Sequence, residues 1–312
     1  MRIVLLGGSG FLGRYVVQAL TKEGHRCAVL TRAEAQRGTW TLMKGVTLVQ
    51  TDVHDALALE QQFNGADAVI SMAGILNEAG FRGKGFHKVH VDLVEGAIAA
   101  CRAAEVRRLL HVSALNAGRG ESHYLKSKGQ AEQALHAADD LDVTIFQPSV
   151  IFGPGDDFFN RFAMMLALAP ALPLACPNAR LQPVYAGDVA AVMSASLDDP
   201  MTFGQTYQLA GPLDYTLKEL VQWTARTMGK KRWVIGLPQP LSVAMAAVMG
   251  MVPGKPLSLD NYRSLKTDNV SDENGFARFG VTPRSIDTVV PDYLSGSLRQ
   301  RRLKNFRERS RP

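Results

Sequence analysis

The stretch Gly7-Gly8-Ser9-Gly10-Phe11-Leu12-Gly13 decides the fold. Ile3-Val4-Leu5-Leu6 precedes it, an apolar run that reads as a strand buried on both faces. Arg14 to Glu23 follows, with Tyr15, Val16, Ala19 and Leu20 at helical spacing and Gly24 as the stop. Strand, glycine turn and helix form the context in which such a turn cradles a pyrophosphate. Gly7 lets the chain turn out of the strand, Gly10 lets phosphate approach the main chain, and Gly13 lets helix and sheet pack closely. The free N–H groups at the helix start then face the anion. Gly7, Ser9, Gly10, Phe11, Leu12 and Gly13 are therefore the first candidates for dinucleotide binding.

Outward from this turn, short apolar strands alternate with helical segments. Arg26 to Thr31, Val46 to Gln50, Ala68 to Met72, Leu109 to Ser113 and Val143 to Gln147 read as strands two to six. That pattern predicts an α/β protein of the Rossmann type, a doubly wound parallel sheet with a smaller C-terminal α/β lobe. At the end of the second strand a NAD-specific site would carry an acid for the ribose hydroxyls. Arg32 stands there instead, with Arg37 as a second candidate, and a guanidinium suits a 2′-phosphate. NADP(H) is therefore expected over NAD(H). Asp52 and Val53 follow the third strand, and Asp55 is placed to cap the helix from Leu57 to Phe63. Ala73 and Gly74 follow the fourth strand, where small residues leave room beside the sheet. Phe86 to Ala104 reads as one long amphipathic helix.

Tyr124 and Lys128 are four residues apart, hence on one helix face, just after the fifth strand. Pro148 and Ile151 follow the sixth. Asp156 and Asp157 lack a matching His or Glu cluster, so they read as solvated loop or helix cap, and no metal site is expected. Met164 to Leu174 reads as lobe core or as an apolar wall for a lipophilic ligand. Thr216 and Glu219 form a capping box for a helix to Met228. Pro240 to Met251 and Leu257 to Leu265 read as further helices, with Met245, Met249 and Met251 filling core gaps.

The 312 residues fit a dinucleotide-binding core over 1–153 with returning segments near 182–210, a smaller lobe over 154–298, and a tail over 299–312. The content is 46% hydrophobic and 21% charged, ordinary for a globular protein. The tail holds seven basic residues and one acid, an excess equal to the whole formal charge of +6. The remainder is near neutral, so nucleic acid is not an expected partner. Leu294, Leu298, Leu303 and Phe306, interspersed with the basic residues, make the tail either a solvated end or a docking segment for an anionic membrane surface or an acidic partner. Cys27, Cys101 and Cys176 are widely spaced and read as buried thiols of a reducing compartment. No leader pattern is seen at the N-terminus, and Leu241 to Val252, the longest apolar run, is too short to span a bilayer. The expected location is cytoplasmic, with peripheral attachment to the inner membrane as an extension.

From Gly7 to about Leu209 these landmarks resemble the extended and atypical branches of the short-chain dehydrogenase/reductase superfamily. The closer resemblance is to the branch containing the nucleotide-binding accessory subunit of respiratory complex I and its bacterial relatives. It is carried by Gly10 to Val17, His111 to Ala117, Tyr124-Leu125-Lys126-Ser127-Lys128, Ile151-Phe152-Gly153 with Phe158 to Phe162, and Lys266 to Val270. The resemblance implies that Asp52 and Val53 contact adenine, and that Lys128 holds the nicotinamide ribose while Tyr124 trades a proton. It also implies a hydroxyl shortly after the fifth strand. One alignment puts Ala114 there, and a slip of one residue puts Ser113 there. Where relatives have Asn-Val, this chain has His90-Val91, which removes an amide that helps order the site. Gln147 replaces an Arg. Two function classes stay open: an accessory protein with tightly held NADP(H), and a working oxidoreductase or epimerase on a quinone-like or sugar-nucleotide substrate. The loss implied at Ala114 favours the first, and the intact Tyr124 and Lys128 favour the second.

Overall fold

A computed structural model describes residues 1–32, 43–80, 82–252 and 255–294. Arg37 and the basic tail lie outside the described residues. Seven parallel strands make one sheet: β1 (Arg2–Leu6), β2 (Arg26–Thr31), β3 (Val46–Gln50), β4 (Ala68–Ser71), β5 (Arg108–Val112), β6 (Asp142–Pro148) and β7 (Gln205–Leu209). Their order is β7-β6-β5-β4-β1-β2-β3. The order in which strands are added reverses between β1 and β4, which opens a crevice at the carboxyl ends of the strands. Every turn singled out in the first 153 residues follows a strand of this sheet, so all of them lie along that one edge.

The central strands are fully buried because helices cover both faces. On one face lie α1 (Phe11–Lys22) and, arriving later in the chain, Ala186–Ala195, which contribute Val16, Val17, Leu20, Val189, Val192 and Met193. On the other lie α2 (Ala56–Phe63), α3 (Leu93–Ala103) and α4 (His123–His136), with Leu59, Phe63, Val94, Ile98, Ala131 and Leu135. Asp55 caps α2 through the Leu57 and Ala58 N–H groups. The predicted single helix over 86–104 is instead a short helical turn, Lys84–His87, a π-turn over Lys88–Asp92, and α3. Amphipathic spacing cannot distinguish a widened turn from a regular one, and such turns occur frequently at functional sites.

A third apolar cluster, with Phe159, Leu166, Leu220, Val221 and Val290 among its members, gathers the C-terminal elements. These include α5 (Phe158–Leu168) and α7 (Leu217–Thr227), with Leu265 of α9 (Leu259–Leu265) packed against them; the helix already placed on the sheet is α6 (Ala186–Ala195), and α8 (Gln239–Met249) precedes α9. The capping box of Thr216 and Glu219 is present at α7. Asp156 is buried rather than solvated. It accepts from the N–H groups of Gly153, Phe159 and Asn160 and from the Tyr293 hydroxyl, so it is the cap of α5. Cys27 and Cys101 are buried thiols, whereas Cys176 is only partly buried. Met251 does not fill a core gap, being 72% exposed.

Arg108 is a buried charge that the sequence pattern did not single out. It opens β5, and its guanidinium donates to the carbonyls of Asp142, Ser196 and Leu197 and to the hydroxyls of Thr144 and Thr202. It also lies 4.6 Å from the centre of the Phe203 ring. Burial pulls its pKa down to about 10, so it stays charged at neutral pH. Replacing it strands several buried acceptors, each costing about 1–3 kcal/mol. Arg108→Leu is expected to lose at least about 3 kcal/mol in urea unfolding, with dinucleotide affinity of the remaining folded protein unchanged.

Candidate active site

Two close backbone approaches shape the glycine turn. Gly7 has φ +77°, and a Cβ there would lie 2.6 Å from the Ala73 nitrogen. A Cβ on Gly13 would lie 2.3 Å from the Gly8 carbonyl oxygen. Both positions therefore require glycine, and the first brings the turn after β1 against the turn after β4. Gly10 is the N-cap of α1 and offers no side-chain cap, and the first helical turn contains no acid. Its N–H groups are open to an anionic ligand, which fits the pyrophosphate of a dinucleotide. Ser9 and Phe11 are half-buried beside this turn, and Leu12 is buried under it.

Arg32 is exposed at the end of β2. Asp52 is exposed after β3, where its carboxylate accepts from the His54 N–H, and Val53 beside it is half-buried. Ala73 and Gly74 follow β4. A Cβ on Gly74 would lie 3.5 Å from His90 Nε2 and 3.6 Å from Lys128 Nζ, so these three residues converge. Pro148 ends β6, and its carbonyl accepts from Leu115 N–H, tying the loop after β5 to that edge. Ile151 begins a two-residue strand paired with Val184.

Ser122 caps α4 by accepting from Leu125 N–H. A second cap arrives from far along the chain: Asp260 of α9 accepts from His123 N–H at 2.7 Å and Tyr124 N–H at 3.1 Å. Tyr124 stacks edge-on against Phe86 and His90. Burial pushes its phenol up to about 12, so it is a proton donor at neutral pH. Lys128 is buried, donates to the Val112 carbonyl at 3.0 Å, and is pulled by burial down to about 8, with Glu132 opposing. Gln147, standing in place of an Arg, donates to Glu132.

The exchange of Asn for His90 does not leave this region without an ordering group. Ile75 N–H donates to His90 Nε2, His90 Nδ1 meets Ser127 Oγ at 2.8 Å, and Ser127 Oγ donates to the Tyr124 carbonyl. The assignment in which Nδ1 carries the hydrogen satisfies all three bonds. Burial, then the nearby Lys128, drives His90 down to about 3, so it stays neutral.

Strand alternation places Leu109, His111 and Ser113 on the α4 side of β5, because Leu109 belongs to that core while Leu110 and Val112 belong to the opposite one. Ser113 continues the ladder by donating its N–H to Phe146. Ala114 therefore falls on the other side. Ser113 Oγ, Ser71 Oγ and both His111 ring nitrogens are buried without a hydrogen-bond partner. His111 pairs in register with Ser71, and burial with Lys128 and His90 nearby holds it well below the usual imidazole range. Unpartnered polar atoms at this depth are rare, and they lie on the side of the sheet that carries Tyr124 and Lys128. Asp260, His90 and His111 were missed as site residues. The sequence signals were His90, standing where relatives have Asn, and a histidine inside the otherwise apolar Leu109-Leu110-His111-Val112.

Comparison with known proteins follows the same lines. A family model described as NAD(P)H-binding matches residues 7–158. The chain is 32% identical to the ceramide reductase of Caulobacter vibrioides over 76% of this chain and 74% of that protein. It is 30% identical to the mitochondrial NADH dehydrogenase (ubiquinone) 1 alpha subcomplex subunit 9 of Arabidopsis thaliana, over 93% of this chain and 76% of that one. Among solved structures, the dTDP-glucose 4,6-dehydratase of Streptomyces venezuelae superposes with a TM-score of 0.76 at 20% identity, covering 95% of this chain and 96% of that one. That likeness is one of fold.

The buried Lys128 ammonium makes stability depend on pH. Its ordinary pKa is 10.5 and its folded value about 8, so between these values the unfolded chain binds the extra proton and stability rises with pH. Below pH 8 the full penalty is present, about 3 kcal/mol for a gap of this size. The bond to Val112 returns about 1 kcal/mol. Lys128→Met is expected to stabilise the cofactor-free protein at pH 7 by about 2 kcal/mol and to abolish the rise above pH 8, read by urea unfolding.

Proposed function

The chain belongs to the NAD(P)H-binding extended short-chain dehydrogenase/reductase family, and within it we propose an NADP(H)-dependent oxidoreductase that reduces a carbonyl on a lipophilic molecule. The unpartnered Ser113 hydroxyl, on the sheet face that carries α4, is the observation that supports this most. With Tyr124 and Lys128 it makes a complete donor set, which the Ala114 alignment would lack. When bound, NADPH supplies a hydride to the carbonyl carbon. Tyr124 donates its phenolic proton to the carbonyl oxygen, and Ser113 donates a hydrogen bond to the same oxygen. Lys128, protonated at neutral pH, holds the ribose and stabilises the phenolate that remains. Gly7, Ser9, Gly10, Phe11, Leu12 and Gly13 take the pyrophosphate, Asp52 and Val53 the adenine, and Ala73, Gly74, Pro148 and Ile151 the nicotinamide side. Arg32 takes the 2′-phosphate. The name of the Caulobacter relative gives a lipid substrate, which supports the substrate class.

A second reading is a cofactor-holding subunit of a respiratory complex, with its basic tail against a partner or an anionic inner-membrane surface. The Arabidopsis relative favours it, since the match runs over 93% of this chain. NADPH oxidation with a long-chain ketone or a quinone in detergent micelles separates the two, with a sugar nucleotide as control. Turnover is expected on the lipophilic substrates, and Tyr124→Phe is expected to lower it about a hundredfold or more while NADPH still binds. NADPH that copurifies and is never oxidised would replace the enzyme reading with the accessory one.

Cofactor choice is tested separately. Removing one charge-assisted contact costs about 1.5–3 kcal/mol. Arg32→Ala is therefore expected to weaken NADPH about tenfold or more in a binding titration, leaving NADH unchanged. Equal affinity of the unmutated protein for both cofactors would refute the preference.

A further inference from the structure

Residues 233–254 carry no ionisable side chain, and residues 220–259 carry no acid at all. In that acid-free run the cations are Arg226, Lys230, Lys231, Arg232 and Lys255. The helix inside it, α8, buries only Ser242 and Ala246. Its large apolar residues point the other way: Leu241 and Val248 are exposed, and Met251 follows at 72%. A helix on a water-facing surface normally shows the reverse pattern. The preceding strand, Trp233–Gly236, continues the pattern, with Trp233 77% exposed and Ile235 exposed on the side opposite buried Val234. Leu168, 84% exposed, ends α5 beside this strand. Arg232 donates to the Leu166 carbonyl and Trp233 N–H to that of Pro170, which fixes the adjacency.

We propose that the α8 face and the Trp233 edge form a docking surface for an anionic lipid bilayer, lying on it rather than crossing it. Exposed tryptophan at the boundary between a basic cluster and an apolar face is the chemistry of a membrane interface. Lys230-Lys231-Arg232 supplies that cluster, and no carboxylate of the same run repels the lipid phosphates. Among the described residues no helix is long and apolar enough to span a membrane. The surface goes beyond the proposed reaction and needs no turnover. It also meets the candidate site: Lys255, just past the charge-free run, donates to the Glu78 carbonyl, Asn77 donates to the Lys255 carbonyl, and Asn261 donates to the Leu76 carbonyl in the loop after β4. A cleft lined by Asn77, Phe86, His123, Leu259 and Asp260 lies at this junction.

The test uses the full chain and vesicles of phosphatidylcholine with or without phosphatidylglycerol, read by cosedimentation. Binding is expected on the anionic vesicles, and the double variant Leu241→Asp with Met251→Asp is expected to weaken it about tenfold or more without changing Tm. Acyl chains carrying bromine are expected to quench tryptophan fluorescence in the unmutated protein, and Trp233→Phe is expected to remove that quenching. Three outcomes overturn the proposal. The protein fails to bind anionic vesicles. Arg301→Gln with Arg302→Gln and Lys304→Gln abolishes binding while the apolar variant keeps it, which assigns docking to the tail. The apolar variant dissociates a dimer that never binds vesicles, which assigns the face to a second copy.

Discussion

The site rests on backbone meeting backbone. Where β1 and β4 diverge, Gly7 approaches Ala73 more closely than any side chain would permit. Six residues later Gly13 does the same against Gly8. The two approaches set the width of the crevice and aim the first turn of α1 along its floor. No side-chain contact could substitute, because a Cβ at either point collides with main chain, which cannot rotate away. The parallel order of the sheet then delivers Arg32, Asp52, Gly74, Ser113 and Pro148 to the same edge without further design, since each follows a strand of the same direction.

Polar groups around Tyr124 and Lys128 are held at a cost to stability. Lys128 sits in a place where its charge is disfavoured, and His90 and His111 sit where theirs is prevented. A core optimised for stability would carry apolar residues at these points. What holds the polar set in order is a chain of short bonds from Ile75 through His90 and Ser127 to the Tyr124 backbone. The histidine replaces an amide by offering one acceptor and one donor across a ring, a pairing that an Asn side chain also offers in a shorter form.

Strand periodicity and glycine spacing made most of the sheet legible, and the six strands of the first half fall within a residue or so of their expected limits. The Tyr124 and Lys128 pair was legible because four-residue spacing survives in any regular helix. The π-turn at His90 was not, since amphipathic spacing is too coarse to register one extra residue in a turn. Ser113 and Ala114 could not be separated by motif, because the choice depends on which side of β5 a residue faces, and only the packing of Leu109 against α4 fixes that. Arg108 and Asp260 were invisible for another reason. Their partners lie up to 94 and 137 residues away, so no local pattern contains them.

Asp260 also explains why the C-terminal elements belong to the site rather than merely covering it. Its carboxylate supplies the two N–H groups at the start of α4 with acceptors, and the negative charge favours the positive end of that helix. Ser258, the N-cap of α9, and Asn261, its third residue, cap each other reciprocally, which fixes Asp260 between them. The charge-free run ends only a few residues earlier, at residue 254. The helix that carries Tyr124 and Lys128 is therefore tied by directional bonds, not by loose apolar packing, to the segment that follows α8. An apolar surface that would be a liability anywhere else on the molecule is in this way placed next to the cleft where a lipophilic carbonyl would need to arrive.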